Sequence, residues 1–299
     1  MQNAKQTKTL IILAFFAVYV FWGGTYLGMK FALESFPPFI MAGIRHFTAG
    51  VILTSIAYFK KETFPKFNEI RNAAIVGSLL LVGGNGLVAF AEVRVPSSIA
   101  SLIIASVPIW ISLLNWVGND HKRPGIWETL ALSLGILGIA LMAFQGQDTS
   151  QNIDLFGIAI LLIASLSWSF GSLFSRNQSM PKSSFYSVSI QMLTGGVLLF
   201  ILSFSLQEAQ TVEWLAITPK ALWAMLYLIF FGSILAYTAY LWLLKQVNPT
   251  LASTNAFVNP VVALGLGWFF ANERLSTQAL FASILIVIAV VILTFKKGK

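Results

Sequence analysis

Ten apolar runs succeed one another along this chain, and each is about as long as a bilayer core is thick. They occupy 9–33, 38–58, 72–92, 97–117, 126–145, 156–176, 184–205, 220–244, 250–271 and 276–295. A hydrocarbon core about 30 Å thick is crossed by about 20 helical residues. The breaks between runs are charged or turn-forming, among them Pro37-Pro38, "KKETFPKFNEIR", "NDHKRPG" and "QGQDTSQNID". No break is long enough for a soluble domain. The expected fold is therefore all-α: a polytopic protein with ten transmembrane helices in one membrane domain, 1–299, with the lipid bilayer as its first partner. Composition agrees. The residues are 57% hydrophobic and 10% charged, where a soluble chain carries about 25% charged residues.

Charge placement orients the spans. With the N-terminus in the cytoplasm, the inner segments hold 14 of the 19 basic residues, including Lys60, Lys61, Lys66 and Arg71. The outer segments hold only Arg94, Lys220 and Arg274. This is the positive-inside bias, so both termini are expected in the cytoplasm. The +8 net charge lies mostly in short loops, which gives no nucleic-acid signal. Lys5 and Lys8 precede the first run as in a signal peptide. That run is too long, however, and no A-x-A-like site follows it, so an uncleaved first span is expected. Zero Cys excludes disulfides, thiolate metal sites and a Cys nucleophile.

The two halves match each other. "WGGTY" (22–26) lies over "WSFGS" (168–172) at an offset of 146, and "RHFTAGVIL" (45–53) over "QMLTGGVLL" (191–199) at the same offset. "VPSSIASLIIASVP" (95–108) lies over "VNPTLASTNAFVNP" (247–260) at an offset of 152. Five helices is an odd number, so a second copy must enter from the opposite side. Two inverted five-helix repeats, 1–147 and 148–299, are the expectation, and inverted repeats are a transporter signature.

The "WGGTY…K…PP…AGIRH" opening, the "NGLVAFAEVRVPSSIASLIIASVPIW" block, the "FGSILAYTAY" helix and the "ASTNAFVNPVVALGLGWFFANERLS" block together resemble the drug/metabolite transporter superfamily. Within it they resemble the EamA group and its YedA-type members, over nearly the whole chain. The resemblance implies a ten-helix bundle of two inverted halves that moves amino acids, metabolites or drugs across the bacterial inner membrane, often outward. It leaves the substrate open.

A carrier needs a polar site near mid-membrane, on helices whose backbone is locally interrupted. Lys30 and Arg45 are the basic residues inside spans. Lys30 either snorkels to the outer interface or forms, with Arg45, the positive wall of an outward-opening cavity. Glu92 is the carboxylate expected to partner Arg45. Asn85, among the glycines of "VGGNGLVAF", offers a solute a donor and an acceptor, while the glycines serve close packing. Pro260 frees the carbonyl of Ala256, with Asn255 and Asn259 beside it, and Pro108 is its counterpart in the first half; both are read as packed kinks or as hinges. Trp22, Tyr26, Trp168 and Tyr237 lie well inside spans, either as core aromatics or as a stacking wall. Trp22 and Trp168 hold equivalent places and are expected to face each other. Gln191 matches Arg45 across the repeat and is expected, with Tyr237, to line the cavity. His46, about 100° around the helix from Arg45, is read as structural.

No carboxylate falls at a span centre, so proton antiport has no sequence support beyond Glu92. Facilitated diffusion and solute exchange stay open. There is no P-loop, and no cofactor or metal is expected. A small-molecule solute is the expected cargo and a monomer or weak homodimer the expected state. An intramembrane enzyme would need paired mid-membrane Asp, a Ser–His pair or H-E-x-x-H, and the Asp residues 120, 148 and 154 all lie in loops. A channel, a lipid scramblase and a membrane scaffold are the alternatives to a carrier.

Overall fold

The computed structural model describes residues 2–95, 97–120, 123–143, 154–271 and 277–295. The expected boundary at 147/148 lies outside these, as do His121, Glu273 and Arg274. In chain order the helices are α1 (Gln6–Leu33), α2 (Pro38–Phe59), α3 (Phe67–Glu92), α4 (Ser97–Ile104), α5 (Val107–Asn115), α6 (Ile126–Ala143), α7 (Leu155–Asn177), α8 (Ser184–Ser205), α9 (Pro219–Gln246), α10 (Pro249–Ala252), α11 (Asn255–Ala271) and α12 (Thr277–Phe295). No strand occurs among the described residues.

Seven of these, α1, α2, α3, α7, α8, α9 and α12, are each long and apolar enough to cross a membrane. The other three expected runs differ. The run 97–117 is divided into α4 and α5 at Ala105-Ser106, and the run 250–271 into α10 and α11 at Ser253-Thr254. The apolar part of α6 covers Ile126–Leu141. Both divisions have the same physical cause. The Ser106 hydroxyl donates to the Ile103 carbonyl at 2.5 Å, Ser253 to Thr250 at 2.9 Å and Thr254 to Leu251 at 2.7 Å. Such short-range hydroxyl bonds offer the backbone an alternative to the helical ladder. Pro108, the second residue of α5, needs no helical donor at that position.

Side-chain caps fix the starts of other helices. Asp154 accepts from the amides of Phe156 and Gly157, Ser183 from Tyr186, and Thr218 from Ala221. Inside α3 and α9 the winding widens to π-helix over Ser78–Gly86 and Leu228–Ala236, nine residues in each. A foreign side chain takes a carbonyl in each widened stretch. Ser167 of α7 donates to Leu79 at 2.8 Å, and Trp22 Nε1 of α1 donates to Gly232 at 2.8 Å.

α2 and α8 cross at close range, and Gly50 and Gly196 permit it. A Cβ on Gly50 would stand 2.9 Å from the Leu193 amide nitrogen, and one on Gly196 2.7 Å from that of Phe47. The main core gathers Val18, Trp22, Leu53, Leu80, Met192, Tyr237 and Tyr240 around α1, α2, α3, α8 and α9. Large apolar side chains also cover the outside, such as Leu13, Phe204, Phe230 and Phe281, as a lipid-facing surface requires.

Candidate functional site

A cavity lies between the helices. It holds about 800 Å³ of empty space, its open mouth included. α1 supplies Trp22, Thr25, Tyr26 and Met29; their spacing of three and four residues puts all four on one helix face. α2 supplies Arg45, and α3 supplies Gly84, Asn85, Val88 and Glu92. Ala100, Ile104 and Val107 come from α4 and α5, Ala164 and Trp168 from α7, and Asn255, Ala256 and Asn259 from α11.

Arg45 is buried, and among the described residues its hydrogen bond runs from Nε to the Ser233 hydroxyl at 2.6 Å. Gly232 makes room for it: a Cβ there would stand 2.7 Å from Arg45 Nη2. The carboxylate partner expected for Arg45 is absent. Among the described residues the ion pairs are Arg94–Asp154 and Lys220–Glu34, and Glu92 is in neither. The guanidinium is drawn instead toward the widened stretch of α9, where a hydroxyl and a missing side chain receive it. A guanidinium and a carboxyl group therefore line one cavity without pairing. Asn259 Oδ1 adds a buried acceptor with no partner among the described residues, while the Asn255 amide nitrogen, suitably oriented, reaches the carbonyls of Ala252 and Ser253 at 3.2 Å.

Trp22 and Trp168 meet edge to face, ring centroids 5.7 Å apart. Behind them Tyr240 lies 5.3 Å from the Trp22 ring and 5.6 Å from the Trp168 ring. Trp168 Nε1 donates to the Tyr240 hydroxyl at 3.1 Å, and that hydroxyl shares a 2.8 Å bond with Ser172.

Both halves of the chain match one family model, the EamA-like transporter family, at residues 9–144 and 155–295. The chain belongs to the EamA-like transporter family. It is 37% identical over 285 residues to the uncharacterized inner membrane transporter YedA of Escherichia coli (strain K12), across 95% of this chain and 90% of that one, and is thus a YedA-like member. The uncharacterized transporter YoaV of Bacillus subtilis (strain 168) is 24% identical over 286 residues, across 95% and 97% of the two chains. A crystal structure aligns with a TM-score of 0.78 at 15% identity, over 95% of this chain and 96% of that chain, which shows a shared fold. As an EamA-like protein with several spanning helices, the chain is a multi-pass membrane transporter.

Three of the residues expected to line the cavity of this EamA-like transporter lie elsewhere. Lys30 is exposed, because Met29 carries the cavity face onward and Lys30 points about 100° away. Glu34 pairs with Lys220 at 2.8 Å rather than with Lys30. Gln191 and Tyr237 are buried off the wall, where the tyrosine hydroxyl donates to Gln191 Oε1 at 2.8 Å. Pro260 stands inside α11, and the backbone break comes six residues earlier, at Thr254. His46 is buried, with Nδ1 3.4 Å from the Ser233 hydroxyl.

Sequence reasoning missed Thr25 and Met29, which the i+3 and i+7 spacing from Trp22 would have found. It also missed Glu128, whose carboxylate accepts from Ser112 at 2.7 Å and from Thr250 at 3.1 Å. Those bonds tie α5, α6 and α10 together beyond the aromatic cluster. Arg176 closes the same end by donating to the carbonyls of Leu244 and Val247 at 2.9 and 2.7 Å. No local signal ties Glu128 to a threonine 122 positions away.

Proposed function

We propose that this chain is an alternating-access secondary carrier of the bacterial inner membrane that exports small amphoteric metabolites, amino acids or related zwitterions. One observation carries the reading: the buried Arg45 guanidinium and the Glu92 carboxylate line one cavity and are not paired with each other. Leaving buried charges without a partner is costly, and a solute bearing both signs supplies both partners. Its carboxylate would face Arg45 and its ammonium Glu92 and Asn259 Oδ1. The aromatic wall of Trp22, Tyr26 and Trp168 would receive its side chain.

Further features support ten crossings in two inverted halves, 1–147 and 148–299. The family model matches twice. The two nine-residue π stretches fall in α3 and α9, and each is bonded by the first helix of the other half. α4 with α5, and α10 with α11, would then each make one interrupted crossing, with Pro108 and Pro260 beside the flexing points. The basic bias supports cytoplasmic termini, which puts the Glu92 end of the cavity outside and the Glu128 contacts inside.

Counterflow in proteoliposomes tests this. Vesicles loaded with unlabelled zwitterionic amino acids should accumulate the labelled solute transiently above equilibrium, and a pore gives no such overshoot. Failure of every amphoteric solute, with overshoot for cationic drugs, would replace the cargo while keeping the carrier.

A further inference from the structure

A second concave surface lies on the outside of the bundle and shares no lining residue with the cavity. It runs between α2 and α8 and is lined by Val51, Thr54, Ser55, Tyr58 and Phe59 of α2, Phe64 of the following connection, and Tyr186 and Leu193 of α8. Its two aliphatic hydroxyls on α2 are already spent: Thr54 donates to the Gly50 carbonyl and Ser55 to that of Val51, both at 2.9 Å. The groove therefore presents hydrocarbon and aromatic rings to whatever fills it. From Val51 to Phe59 it follows about 12 Å of helix. Phe64 and Tyr186 close one end, ring centroids 5.5 Å apart at 76°.

That closed end is where the charge lies. Lys60, Lys61 and Lys66 are exposed in the connection that carries Phe64, and exposed Lys182 comes four residues before Tyr186 from the α7–α8 connection. Lys60 Nζ lies 4.8 Å from the centre of the Phe185 ring, which holds its ammonium against the start of α8. Arg71 adds a further positive charge on α3. The opposing acids in this stretch are Glu62 and Glu69, and the Glu69 carboxylate is spent on the Lys66 amide at 2.9 Å. The mouth thus keeps a positive surplus beside an apolar slot.

We propose that this groove binds an anionic phospholipid, one acyl chain lying along α2 and α8 and the phosphate headgroup held by Lys60, Lys61, Lys66 and Lys182. Basic pockets at the ends of membrane helices recognise anionic headgroups, and the charge complementarity here selects against a zwitterionic lipid with the same chains. The inference rests on membership of a membrane family and is independent of the cargo.

The experiment is native mass spectrometry of the purified full-length protein with added palmitoyl-oleoyl phosphatidylglycerol or phosphatidylcholine. Wild type should retain phosphatidylglycerol through delipidation and release phosphatidylcholine. K60Q/K61Q/K66Q, three exposed changes, should lower phosphatidylglycerol retention on the order of 100-fold, since each lysine near a headgroup contributes roughly fivefold. Val51→Trp fills the slot and keeps the lysines; it should also remove the bound lipid. Equal retention of both lipids by wild type, unchanged retention by the triple variant, or a protein dimer occupying the groove in place of lipid would each overturn the proposal.

Discussion

Trp22 of α1 and Trp168 of α7 meet edge to face with ring planes at 74°, although 146 positions separate them. Each indole is tied to α9 by its ring nitrogen, Trp22 to the Gly232 carbonyl and Trp168 to the Tyr240 hydroxyl. The pair is both cavity wall and core, so substitutions separate the two roles. Trp168→Ala leaves a void and should cost about 3–5 kcal/mol, seen as a lower unfolding midpoint in detergent. Trp168→Phe keeps a ring and leaves Tyr240 bonded to Ser172. It should cost about 1 kcal/mol and preserve transport.

Arg45 makes its bond through Nε, an atom that lysine lacks. Arg45→Lys keeps the charge and loses the anchor to Ser233, so solute affinity should fall about tenfold, the worth of one charge-assisted hydrogen bond. Gly232→Ala should do the same without touching Arg45 chemically, because its Cβ would stand 2.7 Å from Nη2. Binding measured by calorimetry on the two variants checks this. Wild-type affinity in Gly232→Ala would show that the guanidinium position is not needed.

Much of this arrangement is legible in the sequence, for physical reasons that differ by residue. Lipid imposes long apolar runs on every crossing, so the helices and their breaks stand out. The match of Trp22 to Trp168 is visible because both lie on a repeated pattern, and it led to a real contact. Arg45 is visible because a guanidinium in an apolar run is costly. Its partner is not, because a hydroxyl such as Ser233 stands out from no pattern. The placement of Lys30 and Gln191 fails for a related reason: membership in a span does not give rotation about its axis, which depends on neighbours. The nine-residue π stretches of α3 and α9 follow no periodicity that sets them apart from the apolar runs around them.

Gln191 and Tyr237 form a buried pair off the cavity wall. Tyr237→Phe leaves Gln191 Oε1 without its donor and should lower stability by about 1–3 kcal/mol. Transport per folded molecule should stay at the wild-type level, since neither residue lines the cavity. A changed solute affinity with unchanged stability would reverse the assignment and put the tyrosine hydroxyl in the binding site.

Glu128 joins both halves of the chain at the end away from Glu92. Its carboxylate holds the buried Ser112 of α5 and the buried Thr250 of α10 through one oxygen, Oε1. If α5 and α10 part in the inward-facing state of the proposed alternating-access cycle, these bonds must break, and they hold the arrangement seen here. Glu128 is half-buried, so each bond is worth about 1 kcal/mol, and losing both shifts the equilibrium between states about 30-fold. Glu128→Ala should therefore raise the labelling of a cysteine placed at the partly buried Leu114 of α5 by a membrane-impermeant thiol reagent applied from the Glu128 side, a position that leaves both Glu128 bonds intact. Glu128→Gln keeps Oε1 as an acceptor and should label close to wild type. The protein has no native Cys, so the introduced thiol is the sole target. Equal labelling in Glu128→Ala and wild type would mean that the bonds pack this end without gating it.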